Sequence, residues 1–225
     1  MFFTLDTKGT ILAIIMALIM LVFGFLSYNI LLGIFYVLAM AYFLILSALV
    51  TDAKKRYKKS IKLYQKSRGV SNVLANGAAP LIITIIIYIA GFSPLLLIAF
   101  IASIAAVTAD KFSSELGVLD GTPRSILTFK KIEKGTSGGI TLLGTASGFM
   151  GSLFISLSVF FVVLFYNISN PFLYFFIILV SGLFGTLVDS LFGVFEEKGI
   201  GNKFTTNFIC SVAGAFLAAL LIIYL

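Results

Sequence analysis

The sequence has no histidine, no tryptophan and a single cysteine. Without histidine there is no imidazole base and no histidine ligand for zinc, and one thiol completes neither a tetrahedral thiolate site nor an intramolecular disulfide. That thiol, Cys210, sits in an apolar run and says nothing of the redox compartment. Charge is scarce too, since Asp, Glu, Lys and Arg make up only 11% of the 225 residues. Chemistry is left to a few carboxylates, lysines, hydroxyls and amides, with a hard cation as the natural cofactor.

What is abundant is apolar. Hydrophobic residues are 60% of the chain, against roughly 45–50% for a soluble domain. Several uninterrupted runs of about 15–25 residues can each cross a hydrocarbon core as a helix, which satisfies its own backbone polar groups. The pattern predicts an all-α, polytopic integral membrane protein with about seven transmembrane helices, near 10–27, 30–50, 74–91, 94–110, 140–166, 171–193 and 205–225. They form a single transmembrane domain over residues 1–225. No small-residue cleavage site leading into a soluble domain follows the first run, which is expected to be a retained span. No internal repeat marks an inverted-repeat transporter.

The connections alternate in character. Those at 27–29, 91–94 and 167–171 are short and carry no Lys or Arg, whereas 51–73, 111–139 and 194–204 are longer and basic. Lys8, the eight cations from Lys54 to Arg68, the five from Lys111 to Lys134, and Lys198 with Lys203 account for all 16 Lys and Arg, and all fall on one side. By the positive-inside rule that side, with the N-terminus, is cytoplasmic. The net charge of +7 therefore belongs to one membrane face. For "DAKKRYKKSIKLYQKSR" the plain reading is topology plus attraction to anionic headgroups. No nucleic-acid recognition fold accompanies the run, so a nucleic-acid partner is not expected.

Acids near membrane helices are costly unless they meet an ion, a partner or a cavity. Asp110 ends the run "LLLIAFIASIAAVTA", and Asp189 lies inside "GLFGTLVDSLFG" with no basic residue within six positions. A headgroup-level carboxylate paired with a lysine is the plain alternative for Asp110. If its helix continues through "ADKFSSELG", Ser113 and Ser114 share its face and Glu115 points elsewhere. Carboxylate and hydroxyl oxygens on one face suit Mg²⁺, which takes one or two carboxylates plus substrate phosphates; Asp110, Asp189 and Ser114 are the candidate ligands.

The stretch "TFKKIEKGTSGGITLLGT", Thr128 to Thr145, is polar and glycine-rich immediately before a span. Gly135, Gly138 and Gly139 free the backbone to turn amides to an anion, Thr136 and Ser137 add hydroxyls, and Lys130, Lys131 and Lys134 add point charges. The helix beginning near Ile140 offers its positive end. The P-loop pattern itself is not there, and a flexible basic loop capping a helix is the competing reading. Asn72 and Asn76 in "RGVSNVLANGAAP" share a helical face, with capping the plain role for either, and "GNKFTTNF" has Asn202, Lys203 and Asn207 at the entry to the last helix, again on the cytoplasmic side.

Taken together, "VLANG", "ADKFSSELG", "TFKKIEKGTSGGITLLGT" and "VDSLFG" resemble, in order and spacing, the membrane family that contains the phytyl-phosphate kinases of plant vitamin E synthesis and archaeal, bacterial and animal homologues. The resemblance covers roughly residues 65–225, with the glycine loop its most specific part. More distantly it is similar to CTP-using membrane enzymes, the dolichol and phytol kinases and phosphatidate cytidylyltransferases. It implies Mg²⁺-assisted phosphoryl transfer from CTP or another nucleoside triphosphate to a prenyl monophosphate, such as phytyl or geranylgeranyl phosphate, at the cytoplasmic face of the cell membrane. Carried over, the site is Asn76, Asp110, Glu115, the loop lysines with Lys131 catalytic, the loop glycines, and Asp189. This chain has Lys111, Phe112 and Ser113 where the family usually shows Thr, a large aromatic and Ala, and Ser137 where Asn is common. The same residues would serve a prenol kinase or a lipid cytidylyltransferase. A small transporter, the alternative outside enzymes, predicts polar residues near the midplane of several helices.

Overall fold

The computed structural model describes residues 5–64, 68–163, 166 and 170–225. Among them, seven helices are long and apolar enough to cross a bilayer. These are α1 (Thr7–Ser27), α2 (Ile30–Asp52), α4 (Val70–Ala90), α5 (Pro94–Gly117), the stretch Leu142–Val162 that begins with α6 (Leu142–Ser156), α8 (Pro171–Glu197) and α9 (Lys203–Tyr224). A short helix, α3 (Lys55–Ser60), lies between α2 and α4, and α7 (Val159–Val163) continues the span begun by α6 after a turn at Leu157–Ser158. The turn expected at 167–171 falls largely outside the described residues, as do positions 65–67 of the basic connection.

Helix starts follow from local chemistry. Asp6, Asn29 and Thr141 cap α1, α2 and α6 by accepting from Gly9, Leu32 and Gly144 amides, and Asn202 with Thr205 makes a reciprocal capping box on α9. Pro94 and Pro171 stand at the first positions of α5 and α8, where their missing N–H costs nothing.

The central helix is α5. Every residue from Leu97 to Asp110 is buried, and α5 packs against α2, α4, α6, α8 and α9. Its alanines, serine and threonine let neighbours come close, as small residues do where lipid supplies no hydrophobic drive between helices. Gly144, Gly148 and Gly151 give α6 a glycine face toward it: a Cβ at Gly151 would lie 2.8 Å from the Thr108 carbonyl oxygen and one at Gly148 3.3 Å from that of Ala109. At the crossing of α8 and α9 with α5, a Cβ on Gly185 would lie 2.5 Å from the Ala106 Cβ and one on Gly214 2.7 Å from the same atom. Gly185→Ala is expected to overpack this crossing by about 1–3 kcal/mol and to lower the thermal unfolding midpoint in detergent. An unchanged midpoint would contradict so close an approach.

Two boundaries differ from the sequence-based expectation. Helix α5 runs seven residues beyond Asp110 to Gly117, because no helix breaker precedes Gly117 and the charges of the last turns neutralise one another at i,i+4. The stretch before α6 is an antiparallel two-stranded piece, β1 (Arg124–Ser125) with β2 (Gly139–Ile140), and α6 itself starts at Leu142.

Candidate active site

The three basic connections converge on one cleft of about 430 Å³ at one end of the helices, lined by residues of α3, α4, α5, the β1–β2 segment, α8 and α9. Its titratable lining is five cations, Lys58, Arg68, Lys111, Lys134 and Lys203, and four carboxylates, Asp110, Glu115, Asp189 and Glu196.

At the floor, Asp110 and Asp189 line the same cleft, although 79 positions separate them in sequence. The cause is the α5–α8 crossing: each aspartate lies one helical turn beyond the contact of Ala106 with Gly185. Both are buried, at 7% and 5% exposure. Lys203, at the first turn of α9, reaches Asp189 Oδ2 at 3.4 Å, while Asp189 Oδ1 is buried with no hydrogen-bond partner. Asn76 and Asn207 line the same floor: Asn207 Nδ2 donates to Asn76 Oδ1 at 3.3 Å, and Asn76 Nδ2 donates to the Asn72 carbonyl oxygen at 2.7 Å.

Glu115 stands on the same wall as Asp110 in a different role. Lys58 donates to its Oε2 at 2.8 Å and Arg68 to its Oε1 at 2.7 Å, and Lys111, one turn back on α5, pairs with it as well. Thr51 donates to Oε1 at 3.1 Å. Lys58 is fully buried, and its remaining protons go to the carbonyl oxygens of Val50, at 3.1 Å, and of Thr51. Burial pulls the Arg68 guanidinium below its usual pKa, against the opposing pull of Glu115 and Asp110, and its Nε has no partner. Glu115 is thus the hub that gathers three cations, and its oxygens are already committed. Two members of the run read as lipid-attracting, Lys58 and Arg68, belong inside the protein.

The glycine loop forms the opposite wall. Gly135, Thr136, Ser137, Gly138 and Gly139 all line the cleft. Gly138 has φ of +79°, and a Cβ there would lie 2.9 Å from both the Ser190 carbonyl oxygen and the Val194 nitrogen of α8, so the turn requires glycine twice over. Lys134 Nζ donates to Tyr57 Oη at 3.1 Å and to the Val118 carbonyl oxygen at 3.3 Å, which ties the loop to α3 and the end of α5. The Ser137 amide donates to Glu197 Oε1 at 2.7 Å, a carboxylate at the place an anion would take. Ser114 lines the cleft with its hydroxyl turned to the Lys111 carbonyl at 3.3 Å.

Two sequence-based expectations are not met by this arrangement. Lys130 and Lys131 are exposed and do not line the cleft. The segment doubles back so that Lys131 pairs with Arg124, and Ile132 turns inward instead, its Cδ1 3.1 Å from where a Cβ on Gly139 would be. The start of α6 is not an open anion site either. Leu143 N donates to Asp120 Oδ2 at 3.0 Å and Gly144 N to Thr141 Oγ1 at 2.9 Å; the Leu143 and Gly121 amides hold the Asp120 carboxyl below the usual range. Accordingly Lys131→Ala is expected to keep turnover within about twofold, whereas Lys134→Ala loses at least about tenfold, ~1.4 kcal/mol. Parallel initial rates of the two variants check this, and the reverse order would contradict the placement.

The chemistry open to the cleft follows from its donors. Among the described residues no group of three or more acids, histidines or cysteines could hold a metal ion. Two buried carboxylates, one with a bare oxygen, beside amide oxygens are nonetheless the donor set a Mg²⁺ ion takes when phosphates and water complete its shell. The cationic rim suits phosphate oxygens. Lys203 and Asn207 line the cleft, though the sequence reading placed them at a helix entry and gave neither a role in the site. Their signal was the helical spacing of Lys203, Asn207, Ser211 and Gly214 on one face of an apolar helix.

The profile of the family described as "Integral membrane protein DUF92" matches residues 2–215. Among curated proteins, an uncharacterised membrane protein of Methanocaldococcus jannaschii is 40% identical over 222 residues, covering 96% of this chain and 85% of that one. Two proteins of Arabidopsis thaliana match over shorter stretches. Protein VTE6, chloroplastic, is 33% identical over 129 residues, 54% of this chain and 38% of its own; Protein PGR is 36% identical over 96 residues, 40% and 33%. No solved structure matches.

Proposed function

This chain belongs to the DUF92 family of integral membrane proteins, and we propose that it is a membrane phosphotransferase that converts a prenyl monophosphate to the diphosphate with CTP or another nucleoside triphosphate as donor. The observation that carries the reading is the meeting of Asp110 and Asp189, buried and with one bare oxygen, at the floor of a cleft rimmed by cations from three connections. The motif resemblance to the phytyl-phosphate kinases and the partial similarity to VTE6 point the same way.

Phosphoryl transfer asks little covalent chemistry of a protein; it asks for charge neutralisation and in-line positioning. The acceptor is a phosphate monoester with a second pKa near 6, a dianion at neutral pH, so a histidine-free site needs no strong base. One of its oxygens attacks the terminal phosphorus of the triphosphate, the bond to the bridging oxygen breaks, and the nucleoside diphosphate leaves. Asp110 and Asp189 would hold a Mg²⁺ ion, which when bound supplies charge neutralisation at the phosphate oxygens. Lys134 and Lys203 neutralise further phosphate oxygens from the rim, and the turn at Gly135–Gly139 sets the width of the cleft. The prenyl tail lies among the helices or in the bilayer, each buried methylene contributing about 0.8 kcal/mol. The gathering of the basic residues on one side supports, by the positive-inside rule, a cleft that faces the cytoplasm, with the cell membrane as the proposed location.

Purified protein in detergent with Mg²⁺ and either geranylgeranyl monophosphate or the free prenol, given CTP and ATP in turn, tests the reading by mass spectrometry of the products. A prenyl diphosphate together with a nucleoside diphosphate is the expected result. Transfer only to the prenol, or release of pyrophosphate, would overturn the acceptor and assign a sister activity.

A further inference from the structure

Two buried oxygens at the floor of the cleft find no hydrogen-bond donor, Asp189 Oδ1 and Asn207 Oδ1. Their residues are 5% and 6% exposed, and a buried acceptor left bare carries a desolvation cost that a partner from outside the chain would offset. Both residues line the one cleft, at the end of the same helix crossing. Gly185 and Gly214 hold α8 and α9 against Ala106 of α5, with Asp110 and Asp189 one turn beyond the contact and Asn207 two turns before Gly214 at the same end.

The orientation of the Asn207 amide is fixed by a relay. The Asn72 carbonyl oxygen can only accept, so the group Asn76 points at it, 2.7 Å away, is its NH₂. Asn76 therefore offers Oδ1 to α9, and Asn207 must meet it with Nδ2, at 3.3 Å. That leaves Asn207 Oδ1 without a donor in the cleft it lines together with Asp189, whose other oxygen is already engaged by Lys203.

We infer that Asn207 Oδ1 is the third protein oxygen, with the Asp110 and Asp189 carboxylates, of a divalent-cation site, and that Asn76 is the positioning residue that turns the Asn207 carbonyl toward it. Three hard oxygen donors select a Mg²⁺-class ion over one that prefers sulfur or imidazole. They leave about three octahedral positions for water or phosphate oxygens. The inference deepens the phosphotransferase reading, resting on it for the role of the cation and on the bare oxygens for the site.

The test uses the full-length protein in detergent without nucleotide, titrated with Mn²⁺ and followed by the electron paramagnetic resonance signal of the free ion. Asn207→Ala is expected to weaken Mn²⁺ binding at least about tenfold, and Asn76→Ala about tenfold through the misoriented amide. Asn207→Asp keeps the affinity within about threefold and restores it in the Asn76→Ala background, because a carboxylate presents an oxygen whichever way it is turned. A merely structural role for either asparagine would not give that rescue. Unchanged Mn²⁺ affinity in Asn207→Ala, with loss in Asp189→Asn, would overturn the assignment of Asn207, and no Mn²⁺ binding by the parent protein would overturn the site. The expected order of affinities in a protein that transfers no phosphate would support the cation site and count against the phosphotransferase reading alone.

Discussion

Asp189→Asn is expected to lower turnover by at least about two orders of magnitude, ~2.7 kcal/mol of transition-state stabilisation, while leaving the protein as stable as before or more so. The substitution conserves shape and removes one of two buried carboxylates that line one cleft. Carboxylates gathered out of water cost stability, and sites that keep them trade it for function. Asp110→Asn is expected to behave the same way. A fall in rate with a raised or constant unfolding midpoint is the signature of a functional carboxylate. A lowered midpoint with rates little changed would instead mark Asp189 as half of a structural pair with Lys203, 3.4 Å away.

Glu115→Ala is expected to act on the fold. Lys58, Arg68 and Lys111 all lean on this one carboxylate, and Lys58 is fully buried. Removing the shared partner of buried charges costs about 3–5 kcal/mol, which lowers the midpoint by roughly 10 °C in a chain of this size. Lys58→Met should be milder, since it removes a cation from a cluster that has too many and leaves two around the glutamate. Thermal unfolding in detergent checks both. A Glu115→Ala protein with normal stability and no turnover would return Glu115 to the reacting groups.

The parts of this site legible in the sequence were those that lipid makes expensive. Seven spans stood out because apolar runs of that length have little else to be, and Asp110 and Asp189 because a carboxylate at a membrane helix asks for a reason. The fates of the cations were not legible. Eight lie between Lys54 and Arg68, and nothing local distinguishes Lys58 and Arg68, which turn inward, because the glutamate that draws them is 57 and 47 positions away. The same holds for the lysines before the glycine loop: the doubling back that pairs Arg124 with Lys131 decides that Lys134 enters the cleft and its neighbours do not. The start of α6 was taken for an open positive end because Asp120, which occupies it, lies 23 residues upstream of the amide it accepts from. Asn207 stands out only as a polar residue at the entry to the last helix, and its orienting partner is 131 positions away on α4.

Transfer of a phosphoryl group from a nucleotide to a membrane lipid, the function proposed for this cleft, can be followed by isotope. The most direct measurement supplies CTP labelled in its terminal phosphate, together with Mg²⁺ and geranylgeranyl monophosphate, to the parent protein and to Asp110→Asn in parallel, and counts label in the extracted lipid. The account predicts label in a prenyl diphosphate for the parent protein and at least about a hundredfold less for the variant. Equal labelling by the two proteins would contradict the site, and no labelled lipid from the well-folded parent protein, with CTP or with ATP labelled in the same way, would contradict the function.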